Sequence, residues 1–343
     1  MKRHLNTLFV TTQGAYLAKE GETVVVKVEK EIRLRVPVHT IGGIVCFGQI
    51  TCSPFLMGYC AGQNVSISFL TEYGRFLAKV QGPVSGNVLL RREQYRCADD
   101  ETFSANIAKG VLTGKLVNSR AVLQRFLRDH SEKLNAGGVS QASKLLSSSL
   151  RRIQNESSLD VIRGLEGDSA HTYFSVFDNL ITSQKEDFSF TERNRRPPLD
   201  KVNCLLSFLY TIVMHDVRSA LETAGLDPAV GFLHKDRPGR YGLALDMMEE
   251  FRSFLADRLT LSLINLGQVQ GKGFEEKENG AVLMDDDTRK AVLVAYQKRK
   301  QDEIMHPFIN EKVTIGLLFH TQALLFARHL RGDLDAYPPF IWK

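Results

Sequence analysis

The sequence is poor in cysteine and lacks the short motifs of several large enzyme classes. It has five cysteines among 343 residues, and no two of them have the CxxC spacing of a zinc site or a redox pair. Their odd number favours reduced thiols in the protein interior. The patterns GxGxxG, GxxxxGKS/T and GxSxG are missing, which argues against nucleotide-dependent and α/β-hydrolase chemistry.

Long apolar runs are missing as well. No uninterrupted apolar stretch approaches the roughly 20 residues that a membrane-spanning helix needs. The chain starts with MKRHLNTLFVTTQ, in which the apolar run LFV ends before polar residues return, so the sequence predicts no signal peptide. We therefore expect a cytoplasmic protein that does not enter a membrane.

Charge is nearly balanced over the whole chain but uneven along it. The net charge is +5, from 44 basic and 39 acidic residues, which is too small to indicate a nucleic-acid partner by itself. Local patches of cations set the field near a phosphate backbone. Taken singly, each basic cluster favours a solvated helix face. The clusters lie at residues 91–96, 151–152, 193–196 and 298–300.

The first 85 residues have the pattern of β-strands. Short β-branched or alternating runs such as TVVVKV and IGGIVCF are separated by turn-forming residues. The segment QGPVSGN, residues 81–87, contains two glycines and a proline and is typical of a linker. We predict an α+β protein with a small N-terminal β-sheet domain over residues 1–85, used for packing or dimerisation. A larger all-α C-terminal domain is expected over residues 86–343.

Helical periodicity dominates after the linker. Asp200 is a suitable N-cap for a central helix that carries apolar residues at core spacing, and His215 near the end of that helix is expected to be structural. A turn or hairpin is expected around Asn279 and Gly280. The predicted helices cover residues 88–97, 102–129, 141–165, 166–182, 201–217, about 243–266 and 311–331.

The stretch VGFLHKDRPGRYGLALDMMEEFR, residues 230–252, combines a loop histidine with an acidic helix. His234 lies in the loop, and Asp246, Glu249 and Glu250 follow at the helical spacing i, i+3 and i+4. Carboxylate oxygens suit Mg²⁺ and Mn²⁺, and one imidazole tilts the preference towards Mn²⁺. Such an ion can activate a hydroxyl or water nucleophile and neutralise a leaving oxygen in phosphodiester chemistry.

Arginines near this stretch indicate a phosphate-rich substrate. A loop histidine alone is weak support for a metal site, and acids on one helix face are weaker still. Their combination with neighbouring cations favours a phosphodiester as substrate. The predicted DNA contacts are first Arg237 and Arg240, then Arg193, Arg195 and Arg196.

Glu166 occupies an unexpected position. In the predicted helix 166–182 it falls on the same face as Ala170, Tyr173 and Phe177, and a carboxylate buried there needs a cation or hydrogen bonds. The other interpretation is a first-turn residue that is stabilised by the helix dipole and paired with Arg163. The residues alone favour this second interpretation slightly and leave both open.

Three segments together resemble the motifs of a known family. They are LEGDSAHTYF (165–174), RNRRPPLDKVNCLLSFLY (193–210) and GFLHKDRPGRYGLALDMMEEFR (231–252). They closely resemble three motifs of the CRISPR-associated integrase, the metal-dependent DNase of spacer acquisition, in that family's order and spacing. The likeness extends over nearly the whole chain, and the set of motifs is highly specific. The family also has a β-domain followed by a helical domain.

The resemblance implies a set of ligands and a reaction. Glu166, His234 and Glu249 match the family's glutamate, histidine and further acid that hold Mg²⁺ or Mn²⁺, and some members have aspartate at the third position. Asp246 matches a nearby acid that supports the ligands or replaces one of them. The implied reaction is transesterification, in which a protospacer 3′-hydroxyl attacks a phosphodiester at the CRISPR repeat. Hydrolysis of DNA is the same reaction with water as nucleophile.

The resemblance further implies partners. They are double-stranded DNA, a second copy of the chain in a homodimer with the β-domain in contact, and the small second subunit of the CRISPR adaptation complex. Two alternatives remain open: a non-catalytic DNA-binding scaffold whose acids are helix caps, and a phosphohydrolase acting on small phosphoesters. The lack of a further His-rich or Asp-rich metal motif argues against the phosphohydrolase.

Overall fold

The computed structural model describes residues 6–63, 65–72, 76–80, 82, 88–129 and 136–342. A β-rich part comes first and a mostly helical part follows, as predicted. Most of the predicted linker 81–87 and the predicted boundary at residues 85 and 86 lie outside the described residues. The division into two domains at that boundary therefore stays a prediction.

The N-terminal part consists of two four-stranded sheets. Its strands are β1 (Asn6–Val10), β2 (Tyr16–Glu20), β3 (Thr23–Val28), β4 (Glu31–Pro37), β5 (Ile41–Phe47), β6 (Thr51–Cys52), β7 (Ser66–Leu70) and β8 (Phe76–Val80). One sheet has the order β1-β5-β7-β8, in which β5 is parallel to β1 and to β7, and β8 is antiparallel to β7. The other has the order β4-β3-β2-β6, in which β2, β3 and β4 form an antiparallel meander.

A short helix, α1 (Pro54–Gly62), packs with both sheets around one apolar core. Ser53 caps it by accepting from the backbone N–H of Leu56 at 3.2 Å, and Pro54 occupies the first turn, where its missing N–H costs no hydrogen bond. Strand side chains that point inward, such as Val24 and Ile44, are fully buried. The sheets are thus held together by burial of β-branched side chains, which the alternating sequence supplies.

The second part is built from nine helices in the described residues. They are α2 (Val88–Asp99), α3 (Glu101–Asp129), α4 (Ala136–Asn155), α5 (Leu159–Phe174), α6 (Lys201–Thr223), α7 (Gly242–Phe251), α8 (Arg258–Asn265), α9 (Asp286–Gln301) and α10 (Ile315–Leu330). A π-helical turn, Arg252–Asp257, joins α7 to α8, so the predicted helix towards residue 266 is continuous but not regular.

The long helix α6 is the centre of this part. Asp200 caps it by accepting from the backbone N–H of Asn203 at 2.6 Å, as predicted. By length and composition α6 could cross a membrane, but 72% of its apolar window is buried inside this fold. Phe208 of α6 packs against Phe47 of β5, with ring centroids 6.0 Å apart, so the same helix contacts the N-terminal sheets.

The helical part is not purely α-helical. Two short antiparallel hairpins interrupt it: β9 (Phe274–Glu276) with β10 (Val282–Met284), and β11 (Glu303–Met305) with β12 (Lys312–Thr314). The first contains the predicted turn at Asn279 and Gly280, where Gly280 has φ +76°. The second hairpin was not predicted. The predicted helix 311–331 is therefore too long at its start, because residues 312–314 pair as a strand and α10 begins after them.

The predicted boundary between helices at residues 165 and 166 is wrong. The chain breaks earlier, at residues 156–158, where the Glu156 carboxylate accepts from the backbone N–H groups of Ser157 and Ser158. Ser158 then caps α5. Glu166 therefore lies in the middle of α5 and not in a first turn, so the helix dipole does not explain it.

Candidate active site

Two carboxylates from different helices meet at one lysine. Lys115 of α3 contacts Glu166 Oε1 of α5, and its Nζ lies 2.8 Å from Glu249 Oε2 of α7. Lys115 and Glu249 are buried, whereas the Glu166 side chain is 28% exposed. The packing of α3 against α5 and α7 thus brings together two acids that are distant in the sequence and leaves one of them open to solvent.

Glu249 is held as an anion despite its burial. Arg252 Nη2 lies 3.0 Å from its Oε1, opposite the contact with Lys115. Burial alone would raise the pKa of Glu249, but Arg252, Lys115 and His234 together hold it well below its ordinary value. The carboxylate is therefore ionised throughout the physiological pH range and ready to act as a ligand.

His234 is held by a buried aspartate. Asp246 is fully buried and accepts from the backbone N–H groups of Phe232, Leu233 and His234 at 2.6, 3.0 and 3.0 Å. His234 Nδ1 also lies 2.6 Å from Asp246 Oδ1. A carboxylate on Nδ1 sets the tautomer and leaves Nε2 as the nitrogen for a ligand. With four donors on its two oxygens, Asp246 is suited to orienting His234 rather than to replacing a metal ligand.

Two glycines allow the His234 loop to reach the start of α7. A Cβ on Gly231 would lie 2.7 Å from Gly242 C and 2.9 Å from Asp246 Oδ2, and a Cβ on Gly242 would lie 2.7 Å from Ala229 O. The backbones can approach this closely only without side chains. The glycines at both positions of the motif therefore have a structural reason. They let the loop approach α7 closely enough for its backbone N–H groups to donate to Asp246.

The remainder of the loop carries the two predicted cations. Pro238 and Gly239, with φ +74°, form a turn closed by the Arg240 N–H donating to Arg237 O at 3.0 Å. Arg237 is exposed, while Arg240 is partly buried and donates to Lys235 O at 3.4 Å. Arg237 is thus the freer of the two to contact a phosphate.

Arg163 does not pair with Glu166, although the interpretation of Glu166 as a first-turn residue predicted this pair. Its Nε donates to Leu233 O at 2.6 Å, and its Nη1 donates to Asp160 Oδ1 at 2.8 Å. The arginine therefore ties α5 to the loop immediately before His234. This contact links the element that carries Glu166 to the element that carries His234.

Glu250 points away from Glu249 into a buried polar network. Tyr337 donates to its Oε1 at 2.7 Å, and the Phe340 N–H and Gln322 Nε2 donate to its Oε2 at 2.7 and 3.0 Å. Burial raises the pKa of Glu250 to about 8, although these donors oppose the shift. Glu250 is an anchor for the segment 337–342 and not a metal ligand.

Asn118 completes the attachment of that segment to α3. Its amide donates to Glu250 O and Phe340 O at 2.8 and 3.0 Å, and it accepts from the Trp342 N–H at 2.8 Å. Gly114 is adjacent, and a Cβ there would lie 3.0 Å from Glu250 Cγ. We call residues 337–342 the closing segment, because it covers α3 and α7 behind the candidate site.

The side chains of Glu166, His234 and Glu249 suit a hard divalent cation, but they do not form a preformed coordination site. In the described ranges, no group of three His, Cys, Asp or Glu side chains is preformed for a metal ion. Two carboxylates nevertheless converge on one positive charge at Lys115, and the orientation of His234 is fixed by Asp246. Glu249 Oε2 is buried and lies 2.8 Å from the Lys115 ammonium. Oxygen and imidazole donors of this kind fit Mg²⁺ or Mn²⁺.

The second predicted group of arginines divides into buried and exposed members. Arg193 is partly buried, donates to Asn203 Oδ1 and Ser207 Oγ, and lies 5.2 Å from the Tyr210 ring centroid. Arg195 and Arg196 are exposed. The Arg193 side chain is therefore committed to the fold, whereas Arg195 and Arg196 remain accessible to a ligand.

Arg195 and Arg196 line a cavity of about 600 Å³ together with Arg289 of α9. Arg289 is 2% exposed, and its Nη2 donates to Asp286 Oδ1 at 2.6 Å. Its Nε and Nη1 have no hydrogen-bond partner among the described residues. Three guanidinium groups around one cavity form a site that favours an anion.

Sequence reasoning missed Lys115 and Arg252. A signal for Lys115 was present, since it lies on the stripe of α3 formed by Ala108, Leu112, Ser119 and Val122, all of them buried. A lysine within such a stripe needs a buried anion, as Glu166 needs a cation. A signal for Arg252 was also present, because it follows Glu249 at the helical spacing i, i+3, at which opposite charges can pair.

Comparison with known proteins identifies the family. A family model described as CRISPR associated protein Cas1 matches residues 8–298. A CRISPR-associated endonuclease Cas1 of Chlorobaculum tepidum is 57% identical over 343 residues, covering 100% of both chains. Another from Rhodospirillum rubrum is 50% identical over 347 residues, again covering 100% of both.

Solved structures with the same fold are more distant in sequence. A casposase bound to an integration product has TM-score 0.83 at 22% identity and covers 99% of this chain and 95% of its own. A Cas6-RT-Cas1–Cas2 complex has TM-score 0.83 at 21% identity and covers 100% of this chain and 36% of its own. A CAS1 protein from Thermotoga maritima has TM-score 0.80 at 21% identity, covering 96% and 98%. The family model and the close relatives together show that this chain belongs to the CRISPR-associated protein Cas1 family.

Proposed function

We propose that Glu166, His234 and Glu249 hold a divalent metal ion, Mg²⁺ or Mn²⁺, at which DNA is cut and joined. As a Cas1 protein, the chain is a CRISPR-associated endonuclease and integrase. The observation that carries the assignment is the convergence of Glu166 and Glu249 on one positive charge next to a histidine that is oriented by a buried aspartate. The ion supplies Lewis acidity to the phosphodiester and to the attacking hydroxyl when bound.

Each residue of the site has its own task. Glu249 provides a fixed, ionised oxygen pair, because Arg252 and burial on α7 restrict its side chain. His234 presents Nε2, since Asp246 occupies Nδ1. Glu166, at 28% exposure, and His234, at 24%, are the members of the set that face solvent and therefore the incoming strand. Asp246 supports His234 and takes no direct part.

We propose that the reaction is transesterification, in which a protospacer 3′-hydroxyl attacks a phosphodiester of the CRISPR repeat. Support comes from the casposase, which shares the fold and was captured with an integration product. The relatives are named endonucleases, and nothing in the described residues favours a non-catalytic scaffold.

We propose double-stranded DNA, a second copy of this chain and the small second adaptation subunit as partners, in the cytoplasm. Support for the second subunit is the shared fold with the Cas1 part of a Cas6-RT-Cas1–Cas2 complex. Arg237 near His234, and Arg195 and Arg196 at the cavity that they line with Arg289, are the proposed DNA contacts. The exposed guanidinium groups of Arg237, Arg195 and Arg196 can bind backbone phosphates.

The test is strand transfer with alanine variants. A short duplex and a supercoiled target are incubated with Mn²⁺, Mg²⁺ or EDTA, and joined products are scored. Glu166→Ala, His234→Ala and Glu249→Ala should each reduce joining by about 1,000-fold or more, since each removes one of few ligands. Asp168→Ala, an exposed acid on the same helix α5, should leave joining unchanged.

Two outcomes would contradict the proposal. One is full joining by all three alanine variants, which would place the reaction elsewhere. The other is joining by the parent protein in EDTA, which would remove the metal requirement. Circular dichroism of each variant distinguishes a lost ligand from a lost fold.

A further inference from the structure

Lys115 occupies the point at which the two acidic ligands meet. Its ammonium group contacts Glu166 and lies 2.8 Å from Glu249 Oε2, so one side chain neutralises two carboxylates. The Lys115 side chain is 11% exposed. Burial of this ammonium group is compensated by its contacts with the two carboxylates.

We infer that Lys115 is an internal cation that competes with the divalent ion for Glu166 and Glu249 and leaves them when the ion binds. The inference rests on the proposed metal-dependent function. An ammonium group has three donors and no acceptor, so it contributes nothing to a metal's coordination. It lies where the ion must lie to reach both carboxylates, and two cations cannot share that position.

The surrounding contacts allow the exchange. Arg252 binds the other oxygen of Glu249, Oε1, at 3.0 Å, so α7 keeps a compensating charge when Lys115 departs. The lysine side chain is a flexible four-carbon stem and can swing aside without movement of α3. Glu166 is partly exposed, which gives the incoming ion a path from solvent. Lys115 thereby keeps the empty site assembled and sets the metal concentration at which it fills.

The test is Mn²⁺ binding by the full chain, with free Mn²⁺ measured by electron paramagnetic resonance. Lys115→Met removes the competing charge and should tighten Mn²⁺ binding about tenfold, which corresponds to about 1.4 kcal/mol. Lys109→Met is the matched control, because Lys109 lies on the same helix α3 but is more exposed. Its Mn²⁺ dissociation constant should equal that of the parent.

An unchanged or weaker Mn²⁺ affinity in Lys115→Met would overturn the inference. The Mn²⁺ affinity of Lys115→Gln is measured in parallel. If the methionine variant does not fold, the glutamine variant tests the inference by the same comparison with the parent. A parent that binds no Mn²⁺ would sink the proposed function together with the inference. A parent that binds Mn²⁺ as tightly as both variants would sink the inference alone.

A second readout follows the lysine itself. The parent is treated with an amine-acylating reagent, and modification of Lys115 is measured by mass spectrometry with and without Mn²⁺. Saturating Mn²⁺ should increase acylation of Lys115 several-fold and leave that of Lys109 unchanged. Equal acylation of Lys115 in both conditions would show that the lysine stays in place, contrary to the inference.

Discussion

At the scale of single residues, the candidate site depends on charges that are buried in pairs. Glu249 lies between Lys115 and Arg252, and Asp246 lies among three backbone N–H groups and the His234 ring. Removing one member of a buried pair leaves the other uncompensated, which costs more than the pair contributes. Substitutions here must therefore be chosen to keep shape and to change one contact at a time.

Asp246→Asn tests the support of His234. The amide turns one acceptor oxygen into a donor, which opposes the N–H groups that now surround it. We expect a loss of about 1–3 kcal/mol in the free energy of unfolding and a 10- to 100-fold weaker Mn²⁺ affinity. Mn²⁺ titration and urea unfolding measure the two effects.

The control is Asp236→Asn, an exposed acid of the same loop, which should alter neither quantity. If Asp246→Asn bound Mn²⁺ as tightly as the parent, Asp246 would not orient the histidine for metal binding.

At the scale of elements, the close approach of a loop to a helix positions the histidine. A Cβ added at Gly231 or Gly242 would clash with the facing backbone at 2.7 Å, and the Gly242 N–H donates to Ala229 O at 3.0 Å. The loop is therefore fixed at its start by backbone contact and at Leu233 O by Arg163.

Gly242→Ala should separate the loop from α7. Its Cβ would lie 2.7 Å from Ala229 O, so the backbone must shift. We expect a loss of about 1–3 kcal/mol in stability and a strand-transfer rate reduced by more than tenfold, because His234 moves with the loop.

Gly58→Ala, in α1 with open space around its Cβ position, serves as the control for a helical glycine. It should keep strand transfer at the parent's rate. Equal activity of Gly242→Ala and Gly58→Ala would mean that the close approach does not position the site.

Elements were predictable where local chemistry decides them, and not where packing does. The strands of the N-terminal part, the Asp200 cap and the turn at Gly280 follow from alternation and turn residues. The π-helical turn at Arg252–Asp257 has no such signal. It places Arg252 and Asp257 near Tyr210, whose hydroxyl donates to Asp257 Oδ1 at 2.7 Å and whose ring centroid lies 5.1 Å from Arg252.

The candidate site was predictable to a similar degree. His234 and Asp246 are close in sequence, and their spacing indicates a shared function. Glu166 was identified only through the family's motifs, because the predicted helix boundary placed it in a first turn. Lys115 lies on a different helix, and a single sequence does not tell which helices will pack together.

At the scale of the whole molecule, the closing segment ties distant parts of the chain to one buried carboxyl group. The pKa of Glu250 is about 8, raised chiefly by burial, against about 4.5 when unfolded. The folded state therefore binds a proton more tightly than the unfolded state. Its contribution to stability is fully present below about pH 4.5 and declines as the pH rises to about 8.

Glu250→Gln should remove this dependence. Its amide can accept from Phe340 and Gln322 and donate to the Tyr337 oxygen, without a titrating proton. In EDTA, we expect the stability of the variant relative to the parent to increase by about 3 kcal/mol from pH 5 to pH 8.

Urea unfolding at several pH values measures this difference in stability between the variant and the parent. Glu101→Gln, at an exposed position, is the control. A parallel pH dependence in parent and Glu250→Gln would show that the buried carboxyl does not titrate between these limits.

The closing segment also sets the order in which a newly made chain can complete its site. Phe340, which donates to Glu250, lies 90 residues further along the chain. At about 5–20 residues per second, a ribosome needs roughly 5 to 20 seconds to synthesise that interval. During this time α7 lacks the donors that accommodate its buried carboxyl. A nascent or truncated chain without residues 337–342 lacks the Tyr337 and Phe340 donors to Glu250, so we expect the helix that carries Glu249 to be less stable in it than in the finished protein.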